Sequence, residues 1–301
     1  MTFYDRSNIA YWQGIERENL RLAYENSGKR TKLNALDRHR IKPCRRDDLL
    51  AVNSYSRMVR GSALCEQLAH FFCDGGDGQN HKGEILFVTL CDKECLRSPN
   101  DGLSDEDLSR IKNRLTYGLR GLNYIAVIDP ALYVNFQEGF RTGGNRRCIS
   151  WHMHALVWEI SKEALRKRLR KARKSGWYVK LGRGLRPIHV KPIKQGRLPR
   201  AVGYLVKSPI SAYRASLVDW MRKGRPVTDA DGVVLQKYKQ GKSRLRPGER
   251  LTLYFIMRHL CLEQLATAGG AGRLILEGAK RLTRPRRTTR PRSGRGRKRR
   301  N

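Results

Sequence analysis

The sequence predicts an α+β protein in which helices pack on one face of an antiparallel sheet. Three observations predict it. Short apolar, β-branched runs alternate with amphipathic helical stripes in the order β-α-β-β-α-β-α through the middle of the chain. Turn-rich segments separate these runs. The length, 301 residues with 39% hydrophobic content, suffices to bury a core in one large domain or two small ones.

Residues 1–80 are expected to be a helical N-terminal region. Its clearest part runs from Asp47 to Cys73, where Leu49, Leu50, Val52, Met58, Val59, Leu64, Leu68 and Phe72 form one apolar face interrupted by Gly61. Cys73–Gly83 is rich in turn residues and marks a domain boundary. Glu84–Cys91 then reads as a buried strand. Ser104, with Asp107 three residues on, resembles a capping box. It opens a helix striped by Leu108, Ile111, Leu115 and Leu119. Tyr124–Val134 is a strand bent or edged by Pro130. A hairpin loop at Gly143-Gly144 leads to a strand over Cys148–Ile160. Ser161 caps a basic helix to Lys174, with Ala164, Leu165, Leu169 and Ala172 on one side. Arg186–Lys194 alternates as a strand, and Leu198–Lys207 starts a helix with Pro199 in its first turn. Residues 211–280 are expected to be a C-terminal extension: a basic hairpin over Gly224–Lys242, turning at DADG, and an amphipathic helix over Glu249–Leu265.

Charge is the strongest compositional signal. Lys and Arg number 63 against 27 Asp and Glu, a net charge of +36. That balance argues against a membrane-spanning protein or an ordinary metabolic enzyme, and for a polyanionic partner, most simply nucleic acid. The segment Arg281–Asn301 holds ten Arg, one Lys and no acid. It has too little apolar surface to order itself and is expected to be a disordered nucleic-acid arm, with Arg295, Arg297, Lys298, Arg299 and Arg300 at its end. Removing its eleven positive charges still leaves +25 on the rest. No run reaches the roughly 18 apolar residues of a membrane helix, and no signal peptide is visible, so a cytoplasmic protein is expected. Seven cysteines at irregular spacings fit no disulfide framework. Cys91 and Cys95, four apart without a second pair, make only a weak zinc motif, and most of the thiols read as small hydrophobes.

The chemistry concentrates in two places. Within the apolar strand lie Trp151-His152-Met153-His154. Strand side chains alternate, so His152 and His154 share a face, about 7 Å apart, where two imidazoles can converge on one metal ion. Two satisfied histidines beside a core are the equal alternative. Further on, Tyr204 and Lys207 lie three apart near the start of an expected helix and so on one side of it. A phenol with a pKa of about 10 is a poor nucleophile unaided. A divalent cation can polarise a phosphate that it attacks, and a lysine can offset the developing charge.

Taken in order, FVTL (Phe87–Leu90), WHMHALVW (Trp151–Trp158) and GYLVKSP (Gly203–Pro209) resemble the three motifs of the HUH endonuclease superfamily, over about residues 84–208. The chain looks most like the rolling-circle replication initiators of plasmids and phages. The resemblance implies an RRM-like sheet over 84–210 and a nicking–joining activity. It implies that His152 and His154 hold Mg²⁺ or Mn²⁺. Tyr204 would attack single-stranded DNA to leave a 5′-phosphotyrosine and a free 3′-hydroxyl, and Lys207 would help place the phosphate. The third ligand in the family is usually an acid or polar side chain on a neighbouring strand. Asp129 is the candidate, as the one acid inside Tyr124–Val134, with Glu84, Asp92, Glu138 and Glu159 ranked below it. Ser208 stands where two-tyrosine members carry a second tyrosine, and Arg200 where some single-tyrosine initiators carry a glutamate. Tyr213, nine residues on, is off the helical face and reads as an ordinary amphipathic residue.

For DNA contact the sequence offers Arg166, Lys167, Arg168, Arg170, Lys171, Arg173 and Lys174 on one helix, against almost no acid. Trp177 and Tyr178 read either as base-stacking residues or as core. No phosphate-cradling G-x-x-x-x-G-K-[ST] motif appears, so a separate host helicase is an expected partner. The alternatives are a relaxase or single-tyrosine transposase with the same chemistry, and a noncatalytic basic nucleic-acid-binding protein. A histidine-triad hydrolase ranks lower, because Leu156 stands where that family wants another histidine.

Overall fold

The computed structural model describes residues 33–42, 48–73, 84–137, 139–142, 145–194, 196–207, 209 and 211–283. Its strands are β1 (Leu86–Arg97), β2 (Asn123–Val134), β3 (Phe140–Thr142), β4 (Asn145–Trp158), β5 (Ile188–Pro192), β6 (Ser211–Asp219), β7 (Met221–Arg222), β8 (Arg225–Pro226), β9 (Gln236–Arg244) and β10 (Ala266–Gly269). Its helices are α1 (Ala35–Ile41), α2 (Ser54–Cys73), α3 (Asp105–Thr116), α4 (Lys162–Lys174), α5 (Leu198–Val206), α6 (Pro247–Met257), α7 (Leu262–Leu265) and α8 (Gly272–Thr283). The β-α-β-β-α-β-α order is present, and the architecture is α+β.

The main sheet runs β5-β1-β4-β2-β6-β9, with β3 beside β4 and β10 beside β2. It is mixed rather than antiparallel, because Leu132–Val134 of β2 pair in parallel with Ala212–Arg214 of β6. Residues 211–244, expected as an extension, therefore build two strands of this sheet. The turn at Asp229-Ala-Asp-Gly232 forms as expected: the Asp229 carboxylate accepts from the amides of Asp231 and Val233. Pro130 does not bend β2 out of the sheet. It pairs with Trp151 of β4, in the interval 128–131 where the other side of β2 bonds neither β10 nor β6, so a missing donor is tolerated there.

Helices cover both faces, where one was expected. Leu86, Val88 and Leu90 share a fully buried face with Asp92, whose carboxylate accepts from Arg114 of α3 at 2.7 Å and from the Tyr178 amide. This is the face of α3 and α4. The opposite face carries His154 and Trp158, and Phe71 and Phe72 of α2 pack edge-on against the Trp158 ring. There α2 meets α5: a Cβ on Gly61 would come within 2.9 Å of Val206. One continuous core joins Leu64 and Leu68 of α2, the central strands, and Ile275 and Leu276 of α8.

The stripe-based helices form where expected. Ser104 caps α3 by accepting from the Asp107 amide, and Ser161 caps α4 by accepting from the Ala164 amide. Two differ. The helix begins at Ser54 rather than near Asp47, and Asn53 accepts from the Ser56 amide. The Glu249–Leu265 helix is split into α6 and α7. Both departures meet at one place: Leu50 and Cys261 form an isolated antiparallel bridge, in which the Ala51 amide donates to the Leu260 carbonyl and the Leu262 amide to the Leu49 carbonyl, with Leu49 at φ 43°. Residues 1–32, 74–83, 143–144 and 284–301 all lie outside the described residues, and with them the start of the expected N-terminal region, the turn-rich boundary and most of the expected arginine-rich arm. Arg281–Thr283 end α8. No described helix is long and apolar enough to cross a membrane.

Candidate active site

The site lies on the open end of the α2/α5 face. Register places it: Thr89 of β1 pairs with His154 of β4, and His152 pairs with Asp129 of β2. Alternation aims all four side chains at one face. Both imidazoles are buried, and their Nε2 atoms lie 3.0 Å apart. The His152 Nδ1 sits 3.3 Å from the Ser150 carbonyl, which can only accept, so Nδ1 carries the proton and Nε2 presents a lone pair. Thr89 Oγ1 lies 3.1 Å from the His154 Nδ1 and fixes that ring. Burial holds both rings below the ordinary histidine pKa. Asp129 partly offsets this for His152, whereas His152, Lys207 and Lys242 push His154 further down.

Two neutral imidazoles in this pose suit a divalent cation. Nitrogens bound at about 2.1 Å on one ion, at about a right angle, stand about 3 Å apart. Buried Ser150 Oγ and Asp129 Oδ1, on the same face, have no hydrogen-bond partner among the described residues. Asp129 is 2% exposed and stands between two cations, with Arg57 Nη2 and Lys207 Nζ each 3.9 Å from its carboxylate. It neighbours His152, but among the described residues no three His, Cys, Asp or Glu side chains close into a ligand set. Of the lower-ranked acids, Asp92 serves α3 on the other face, Glu159 accepts from Asn123, Glu84 is exposed at the start of β1, and Glu138 lies outside the described residues.

Helix α5 brings Tyr204 to this centre. Its ring meets the His154 ring at 5.1 Å and Phe87 at 5.6 Å between centroids. Lys207, at the helix C-cap, sits 4.5 Å above the Tyr204 ring. Arg57 of α2 supports that end of α5 by donating to the Val206 and Lys207 carbonyls. Thus His152, His154, Asp129, Tyr204 and Lys207 converge from three elements.

Sequence reasoning missed Lys242 of β9, whose Nζ is 3.5 Å from Tyr204 Oη. Burial opposes its charge, but attraction to the Tyr213 and Tyr204 oxygens raises its pKa overall. It missed Arg57 too. Tyr213, set aside on helical spacing, reaches the cleft on β6, stacked on Tyr133 at 5.0 Å and paired with Lys242 in register. No one-dimensional pattern announces Lys242; the β6–β9 register does.

The cleft has a volume of about 1030 Å³. Beyond the His152, His154 and Tyr204 side chains its wall is basic, with Arg186, Lys191, Lys194, Arg197 and Arg200. The α4 cations are not part of it: Arg166, Lys167, Arg170, Lys171, Arg173 and Lys174 are exposed on the helix behind the sheet. Tyr178 is core, its hydroxyl donating to the Leu115 carbonyl and accepting from the Gly118 amide. Trp177 is half-buried and stacks on Tyr117 at 3.9 Å. Cys91 and Cys95 are free thiols whose pKa burial pushes up to about 12, so neither is a ready thiolate ligand. No family model matches the chain, and neither does any curated protein or solved structure.

Proposed function

We propose that the protein is a metal-dependent DNA nicking–joining endonuclease of the HUH type, built on an RRM-like sheet and acting to initiate rolling-circle replication. The observation that carries the reading is the juxtaposition of the His152–His154 pair, Nε2 to Nε2 at 3.0 Å, with the Tyr204 phenol on one side of a basic cleft. His152 and His154, with Asp129 beside them, would hold Mg²⁺ or Mn²⁺. Such an ion, when bound, withdraws charge from a phosphate oxygen. Tyr204 Oη forms the bond to phosphorus, and the bond from phosphorus to the 3′ oxygen breaks. The phenol gives up its proton as that bond forms and the departing 3′ oxygen takes one up, so the products are a 5′-phosphotyrosine and a 3′-hydroxyl. Lys242 would steady the phenol oxygen, and Lys207, 4.5 Å from the centre of the Tyr204 ring, would help place the phosphate. Because the phosphodiester is exchanged rather than hydrolysed, the strand can be rejoined without ATP.

The basic wall favours a polyanionic, single-stranded substrate, and strand unwinding is left to a separate helicase. A labelled single-stranded oligonucleotide pool, incubated with protein and Mn²⁺, should yield cleaved products that chelation abolishes. Cleavage that persists in His152→Ala or Tyr204→Phe would sink this mechanism. Tight binding without cleavage, across metals and a broad pool, would favour the noncatalytic reading.

A further inference from the structure

Helix α4 presents Lys167, Arg170, Lys171, Arg173 and Lys174 to solvent over its last two turns, about 12 Å. Positions 166/170, 167/171 and 170/174 are like-charged neighbours at i,i+4, an arrangement that works against an isolated helix. Glu163 is the lone acid on the helix, and no ion pair joins the cations of 166–174 to a carboxylate among the described residues. Arg168 donates to the Gly118 and Arg120 carbonyls and Arg166 to that of Val190; the other cations of the helix make no bond outside it among the described residues, and their charge is concentrated and unneutralised. It lies behind the sheet, on the face of α3 and Asp92, while the cleft opens on the other.

We propose that α4 is a docking surface for double-stranded DNA, separate from the single-strand cleft. Aromatic supply decides between duplex and unpaired strand. Single-strand binding relies on free ring faces for stacking. The nearest rings, Tyr117 and Trp177, are spent on each other, with the guanidinium of Arg114 5.3 Å from the Trp177 centroid and that of Arg120 5.1 Å from the Tyr117 centroid. What remains is a broad cationic face, which suits the phosphates of a duplex and reads no base. One molecule would then hold the duplex behind the sheet while it cuts an unpaired strand in front.

The test uses the full chain and fluorescence anisotropy with a 20-base-pair DNA duplex and a single strand of equal length, over a salt series. Lys167→Glu/Lys171→Glu/Lys174→Glu is compared with the milder triple Gln variant, both checked for unchanged circular dichroism and melting. Duplex affinity should fall at least 10-fold, with a salt slope shallower by about 2.7 for three lost contacts. Single-strand affinity should change less than 2-fold. Unchanged duplex affinity and slope, an equal loss for both nucleic acids, or a preference for an RNA duplex of the same length would overturn the proposal. Because cleavage is not measured, the outcome does not depend on the mechanism assigned to Tyr204.

Discussion

At the scale of single residues, the site rests on buried polar groups held in unusual company. His152 and His154 are neutral in the fold, because burial depresses their pKa values. In the unfolded chain they take up protons at about pH 6.5. Below that pH the unfolded state binds more protons, so stability is complete above about pH 6.5 and declines as pH falls toward the depressed values. Thermal melts between pH 7.5 and 5 should show this decline, and His152→Gln/His154→Gln should flatten it; an equal slope in the variant contradicts the assignment. Arg57 is 3% exposed and bonds three carbonyls, those of Ala51, Val206 and Lys207. Arg57→Ala leaves Asp129 with one cation and should cost about 3–5 kcal/mol in denaturant titration. Lys242→Ala should slow DNA cleavage about 10²-fold with little loss of binding, if the ammonium acts on the phenol as its 3.5 Å distance indicates. The two histidines, Asp129, Tyr204 and Lys207 were legible because their own elements carry the pattern. Arg57 and Lys242 were not, since each reaches the site only through long-range pairing.

At the scale of elements, amphipathic stripes and capping serines placed α3 and α4 correctly, and β-branched runs placed β1, β2 and β4. The misread elements share a feature: tertiary partners overrode the local signal. Strand β6 reads SAYRASLVD, half polar, and is fixed by pairing to β2 and β9 rather than by its own alternation. Leu260–Leu262 leave a helical pattern to bond Leu49–Ala51. The 3₁₀ turn after α3 shows how closely such elements fit. A Cβ on Gly118 would lie 2.7 Å from Leu169 and 2.9 Å from the Tyr178 hydroxyl. Gly118→Ala should therefore destabilise by about 1–3 kcal/mol, through overpacking between α4 and that turn. Tyr178→Phe strips a partner from the buried Gly118 amide and Leu115 carbonyl, with a loss of similar size, about 1–3 kcal/mol. Chemical denaturation of both variants reads these values, and an unchanged midpoint in either contradicts the packing described.

At the scale of the whole molecule, a chain of net charge +36 folds around a sheet whose two faces carry different groups. The front carries the histidine–tyrosine centre, and the back carries α4. That split was invisible in the sequence, which shows charge along the helix but not the side of the sheet on which it falls. Nonspecific DNA affinity should drop steeply with salt, by about 10³-fold or more between 50 and 200 mM if six or more phosphates are neutralised. A flat profile would remove the electrostatic basis of binding. The central claim is that Tyr204 joins covalently to DNA, and the most direct measurement is peptide mapping by mass spectrometry after reaction with Mn²⁺ and a single-stranded oligonucleotide. The prediction is a nucleotide adduct on the peptide containing Tyr204, lost in His154→Ala and in Tyr204→Phe. Cleaved DNA with no adduct, or an adduct on another residue such as Tyr213, would contradict it.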